Sequence, residues 1–195
     1  NESEKTANVY TIPWPWVFGD PITDVDGNVY QTIQIGNQLW MKENLKVTKY
    51  KDGTAIPTGY SNDDWINLTT GAYAVYNDDA SNAETYGYLY NWYAVDDSRN
   101  IAPEGWHVPT DDEYKELEMF LGMSEEEANS DGHRGTDEGG KLKEGGLEHW
   151  ISPNYGATNE SGFTALPSGQ LYGEYYNLGD ESYFWTSTLN VINND

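Results

Sequence analysis

Aromatic side chains crowd the end of the chain: Tyr172, Tyr175, Tyr176, Tyr183 and Trp185, with Asn177 among them. Each such ring joins an apolar face to a polar tip. Exposed, it can stack on the C–H face of a sugar while Asn, Asp and Glu bond the hydroxyls. The same rings can also simply cover a small sheet, which is the commoner use of any single one. Trp185 suits core and ligand surface equally.

A second chemistry would use carboxylates. Glycoside hydrolases pair two of them, about 5–5.5 Å apart in retaining enzymes and about 6.5–9.5 Å apart in inverting ones. The chain holds 33 Asp and Glu, so some pair at that spacing is inevitable and none is singled out. No HExxH, P-loop, Ser-His-Asp order or dinucleotide fingerprint is present. His107, His133 and His149 are dispersed, which disfavours a histidine-centred metal site. Asp63, Asp64, Asp78 and Asp79 could share an oxygen-ligated Ca²⁺, but solvated loop acids explain such pairs more often. Asp24-x-Asp26-Gly27-Asn28 resembles the start of an EF-hand loop. It fails that test, because its Gly falls at loop position 4 and no Glu stands at position 12, so a hairpin turn is expected. No catalytic residue, metal ligand or required cofactor is assigned, and the expectation is a protein without enzymatic activity.

Composition narrows the classes further. The 195 residues carry a net charge of −23, with 10 Lys and Arg. Such a surface repels nucleic acid and anionic lipid. No apolar run approaches the length that spans a bilayer. Cysteine is absent, so there are no disulfides and no thiol chemistry. Tyr (16) and Trp (8) far outnumber Phe (4), and mean hydropathy is −0.77, a profile that fits an exported surface protein. Disordered chains lack such aromatic content.

The elements that must position these residues are partly legible. Residues 1–20, with Pro alternating with Trp at IPWPW, read as an extended tail, strap or linker, ahead of one domain over 21–195. Val29, Gln31, Ile33 and Ile35 alternate with Tyr30, Thr32 and Gln34, giving a strand at 28–35, a turn at Gly36-Asn37 and a returning strand at 38–42. A short strand is expected at 72–76. Tyr86, Leu89, Tyr90, Tyr93 and Ala94 fall at helical spacing and predict a helix over 85–95. Thr110 and Glu113 form a capping box, Asp111 and Asp112 sit where the helix dipole favours acids, and Gly122 is a stop, predicting a helix over 110–121. His107 stands just before it as a hydrogen-bonded structural residue. The window 96–138 holds 14 acids and 3 basic residues, and its end, 124–140, reads as a solvated, mobile insert in which His133 and Arg134 have no partner at motif spacing. From 141 the chain is glycine-punctuated and β-like. Tyr183, Trp185 and Ser187 alternate with Phe184 and Thr186 in a strand, with Tyr172 to Asn177 in the loop before it.

DVDGNVYQTIQIGNQLWMKENLKVTKY, YGYLYNWYAV, PEGWHVPTDDEYKEL, GFTALPSGQ and YFWTST, in this order, resemble the Fibrobacter succinogenes major paralogous domain family over roughly 22–188. The resemblance implies an α+β, C-type-lectin-like fold: two helices with small twisted antiparallel sheets and long loops. It implies that the last hairpin and its loops present a ligand surface, which selects Tyr172, Tyr175, Tyr176, Asn177, Tyr183 and Trp185 as the ligand-binding group. It also implies an exported protein of fibre-degrading or gut bacteria, at the cell surface or outside it, with a lipid anchor on a removed N-terminal segment as one mode of attachment. The partner would be a glycan or a surface protein, with no nucleic acid and no membrane insertion of this domain. The alternatives are a structural or adhesive component of a surface assembly, and a glycoside hydrolase. Formylglycine-generating relatives of that fold need paired cysteines, so their activity is not carried over. Family members usually continue past the W-[ST]-S-T strand to a final strand, and a chain ending at Asp195 is expected to lack it.

Overall fold

The computed structural model describes residues 16–189. The expected tail therefore lies outside the described residues up to Pro15. Its last four residues do not form a tail, because β1 (Val17–Thr23) already belongs to a sheet.

That sheet has the order β1-β2-β3 with antiparallel neighbours, β2 being Val29–Ile35 and β3 Gln38–Met41. The predicted strand is borne out, but not its single apolar face, because burial changes face between Thr32 and Ile33. Tyr30, Thr32 and Ile33 are buried while Val29, Gln31 and Gln34 face solvent, with Ile35 buried at the end. Ile33 pairs with Trp40 and Ile35 with Gln38, a register set by the tight turn at Gly36. A bulge between Gly19 and Ile22 interrupts the β1–β2 ladder.

Six short α-helices occur among the described residues, where two were expected. Helix α1 (Asn62–Trp65) precedes β4 (Tyr73–Ala74), a 3-10 turn at Tyr76–Asp78 and α2 (Ala80–Tyr86). Then come β5 (Leu89–Tyr90) and α3 (Trp92–Val95). The predicted helix 85–95 is therefore broken. Gly87 has φ +72°, and a Cβ there would lie 2.8 Å from Asn44 Cβ and 2.9 Å from Leu45 O. Helical backbone cannot pass through that position. Leu89 and Tyr90 pair with β4 instead, and Asn91 restarts the helix by accepting from the Ala94 amide at 3.0 Å.

Helix α4 (Asp111–Phe120) is as predicted, with both halves of the Thr110–Glu113 capping box formed. Its Leu117 is fully buried against Ile33, Ile35, Trp40, Phe163 and Ala165. A second cluster gathers Val47, Tyr50, Ile56, Tyr90, Ala94, Val95 and Ile101. The acidic insert is structured. It contains α5 (Glu125–Ala128) and α6 (Glu138–Leu142). Arg134 is not without partners, since its guanidinium binds Glu118 at 2.9 and 3.0 Å. Glu138 is buried and accepts from the Thr136 amide at 2.8 Å. Charge patterning marked this stretch as solvated, and most of it is exposed, but local carboxylate–amide bonds give it structure.

The last hairpin joins β6 (Ser168–Tyr172) to β7 (Glu174–Leu178), so Tyr172 to Asn177 lie on strands and a tight turn rather than in a loop. The expected strand at 183–187 does not form. That segment is held by single bonds to different elements: Trp185 Nε1 donates to Tyr90 O at 2.7 Å, and Ser187 N to Pro109 O at 2.8 Å. The architecture is α+β, with small antiparallel sheets and long connections.

Candidate functional site

Between β3, the 88–95 segment, the approach to α4 and the last hairpin lies a cleft of about 1060 Å³. Its lining is rich in aromatic rings: Trp40, Trp65, Tyr88, Tyr90, Trp92, Tyr93, Trp106, Tyr114, Phe163 and Phe184, joined by Tyr172, Tyr183 and Trp185. The structure thus divides the six predicted residues. Tyr172, Tyr183 and Trp185 line the cleft, whereas Tyr175, Tyr176 and Asn177 do not.

Each of the six has a definite setting. Tyr172 is 77% exposed at the hairpin tip. Trp185 is half exposed, its ring 5.8 Å from that of Trp92. Tyr183 donates to the Glu181 carboxylate and accepts from Asn177 Nδ2. The Glu181 bond, more than burial, raises the Tyr183 pKa. Tyr175 packs against Tyr76, with centroids 5.0 Å apart, and donates to Asp78 Oδ1 at 3.2 Å. Burial, and then the charge of Asp78, push its hydroxyl up to about 12. Tyr175 is a strut under the hairpin. Tyr176 is exposed outside the cleft, and Asn177 adopts φ +63°.

The cleft also holds groups that spacing did not reveal. Trp40, Trp92, Trp106 and Phe184 converge from four separate stretches. One edge of β3 is open towards it. Lys42 N donates to Gln31 O at 2.9 Å. In antiparallel alternation the backbone groups of Leu39 and Met41 then point away from β2. They have no other strand beside them among the described residues.

Two carboxylates line the cleft, Glu43 and Glu113. Glu43 accepts from the Gln31 amide at 2.7 Å. Glu113 meets His107 Nε2 at 2.8 and 2.9 Å and accepts from the Thr110 amide at 2.7 Å. Its burial alone would raise its pKa, but the bonds from Thr110 and His107 together outweigh that and lower it from 4.5. His107 is the hydrogen-bonded residue that was expected. A group with a depressed pKa adds stability above its unfolded value, and that stability is lost as pH falls through its folded value. Melting temperature should therefore fall below pH 4.5, and Glu113→Gln should flatten that fall relative to the parent when followed from pH 3 to 7. An unchanged slope would show that Glu113 gains nothing on folding.

Of the four acids read as a possible Ca²⁺ cluster, Asp64, Asp78 and Asp79 have protein partners for their carboxylates. Asp64 accepts from the Ser61 hydroxyl at 2.7 Å, and Asp79 from the Ser81 amide at 3.0 Å. Asp24 and Asn28 form the expected turn, closed by four bonds to the Asp24 carboxylate.

The Fibrobacter succinogenes major domain model matches residues 33–193. The chain belongs to that family. The match covers every wall of the cleft, so in this member of the Fibrobacter succinogenes major domain family the cleft is part of the family domain itself. No curated protein and no solved structure matches the chain. No helix among its described residues is long and apolar enough to cross a membrane.

Proposed function

We propose that this domain is a non-catalytic recognition module of an exported bacterial surface protein. Its ligand is an extended protein segment lying in the aromatic cleft along the open edge of β3. The juxtaposition of that edge with apolar walls carries this reading. Main-chain groups at Leu39 and Met41 supply affinity without regard to sequence, and the aromatic pockets take alternate side chains. The same contact serves an adhesive joint between surface proteins. A C-type-lectin-like arrangement is part of the proposal, supported by the capped helix after Gly105-Trp106-His107-Val108-Pro109-Thr110 and by the ligand-side position of the last hairpin.

A glycan is the second reading, and the exposed rings of Tyr172 and Tyr176 favour it. A glycosidase is less well supported. Of the two cleft carboxylates, Glu113 is held below the range in which a general acid keeps its proton near neutrality.

Leu39→Pro tests the peptide reading, because Leu39 lines the cleft and the change removes an N–H that points away from β2, leaving the β2 ladder intact. Peptides selected from a display library on the parent chain should lose at least about tenfold in affinity for this variant. Leu39→Ala should retain binding. Equal loss in both variants, or in neither, sinks strand addition. Glycan-array binding abolished by Tyr172→Ala would favour the second reading.

A further inference from the structure

Away from the cleft, the loop between α6 and β6 brings together Glu144, Glu148 and His149. One carboxylate oxygen from each Glu and one imidazole nitrogen lie within 4.8 Å of one another, the single group of this kind among the described residues. His149 Nδ1 lies 2.9 and 3.0 Å from the two oxygens of Glu144. Glu144 and His149 are part-buried, while Glu148 is open to solvent.

The loop is held on both flanks. Glu144 N donates to Ala165 O at 3.0 Å, and Ile151 N to Gly179 O at 2.7 Å. The buried Trp150, next to His149, donates from Nε1 to Ala165 O at 3.1 Å. Asn154 closes the loop. Its Nδ2 donates to Glu144 O and to Gly146 O, both at 2.9 Å. That leaves Asn154 Oδ1 sealed from solvent with no hydrogen-bond partner.

We propose that Glu144, Glu148 and His149 bind a divalent transition-metal ion of the Zn²⁺ type, with solvent on the open Glu148 side completing its coordination. Two carboxylates balance the charge of a dication. The imidazole selects borderline metals over Ca²⁺ and Mg²⁺, which prefer all-oxygen sites. A tetrahedron with bonds near 2.0–2.1 Å has ligand atoms about 3.3 Å apart. The His149–Glu144 contact therefore opens by a few tenths of an ångström, and Glu148, on the exposed side, swings in. The His149–Glu144 hydrogen bond gives way to coordination, and the imidazole binds in its neutral form.

Isothermal titration calorimetry of the full 195-residue chain with Zn²⁺ tests this. One site with Kd near or below about 10 µM is expected, with Ca²⁺ and Mg²⁺ at least about 100-fold weaker. Glu148→Gln alters an exposed side chain and should weaken Zn²⁺ by about tenfold or more. His149→Ala should abolish the site. His107→Ala should change nothing, since His107 pairs with Glu113 elsewhere. If His149→Ala misfolds, line broadening of the His149 ring in NMR spectra of the parent chain with Mn²⁺ reads the same contact. No saturable Zn²⁺ binding, binding untouched by Glu148→Gln, or binding lost through His107→Ala would overturn the proposal and leave His149–Glu144 a plain ion pair.

Discussion

Asp24→Ala is expected to destabilise the domain by about 3–5 kcal/mol, because it strips a buried acceptor from several donors at once. For a chain of this size that is a fall of about 10 °C in melting temperature. The side chain is 7% exposed, and its carboxylate accepts from Asp26 N and Asn28 N, both at 2.9 Å, Asn28 Nδ2 at 2.8 Å and Tyr30 Oη at 2.6 Å. Tyr30 is fully buried, so its hydroxyl cannot turn to water. The network reaches beyond the turn. Lys46 N donates to the Tyr30 hydroxyl at 3.0 Å, and Thr48 donates from both its amide and its hydroxyl to Asp26. The turn is thus a peg that docks the 46–49 segment and, with it, Val47 into the core. Asp24→Asn keeps one acceptor and should cost roughly half as much. In a double-mutant cycle, Asp24→Ala with Tyr30→Phe should cost less than the two single changes added together, because the phenylalanine removes the orphaned hydroxyl. It should not restore the parent stability, since the Lys46 amide then loses its acceptor. Strict additivity, or a fall below about 2 °C for Asp24→Ala, would mean that the network is not what seats this turn.

That turn shows what the sequence conveys and what it withholds. Asp24-x-Asp26-Gly27-Asn28 announces a turn, because Gly27 tolerates φ > 0 and Asp and Asn side chains bond their own backbone. That the same carboxylate also seats Tyr30 against residue 46 depends on a contact across the chain. The capped helix α4 was equally legible, since a capping box and a terminal glycine are local. The aromatic run at 85–95 misled, because Tyr, Leu and Ala at helical spacing fit the period even where Gly87 must approach Asn44 and Leu45. Asn91, a good N-cap in the middle of the run, was the available signal for a break. The cleft was half visible. Tyr172, Tyr183 and Trp185 lie close in the chain, but Trp40, Trp92 and Trp106 come from distant stretches and meet only in the fold. Tyr175, grouped with the ligand-binding rings, packs on Tyr76 and bonds Asp78, a contact 97 residues away that spacing does not reveal. His149 looked isolated because the spacing of Glu144, Glu148 and His149 matches no metal motif, and the loop geometry brings them together.

Two glycines of the last hairpin offer the sharpest separation of backbone strain from close packing. Gly169 (φ +63°) and Gly173 (φ +72°) both occupy the left-handed region. An alanine at either position carries that conformational cost, about 1–2 kcal/mol. They differ in what a Cβ would meet. At Gly173 the nearest atom is Ile66 Cγ2 at 3.4 Å, an ordinary contact. At Gly169 it would sit 2.3 Å from Tyr176 O and 2.9 Å from Leu178 N, both backbone atoms of the partner strand, and 2.8 Å from Tyr76 Cε2. Backbone cannot rotate away as a side chain can, so β6 and β7 must separate. Overpacking of this kind adds about 1–3 kcal/mol. Gly169→Ala should therefore lose about 2–5 kcal/mol in urea unfolding, and Gly173→Ala only about 1–2. The functional consequence follows from the same geometry. Forcing β6 from β7 moves Tyr172 and breaks the Gly169–Glu181 backbone bond, at 3.0 Å, that leads the chain towards Tyr183 and Trp185. Ligand binding should weaken in Gly169→Ala even at temperatures where the protein is folded, while Gly173→Ala binds as the parent does. Equal losses of stability in the two variants would show that backbone strain alone demands glycine at 169. Undisturbed binding in a folded Gly169→Ala protein would show that the hairpin does not shape the cleft.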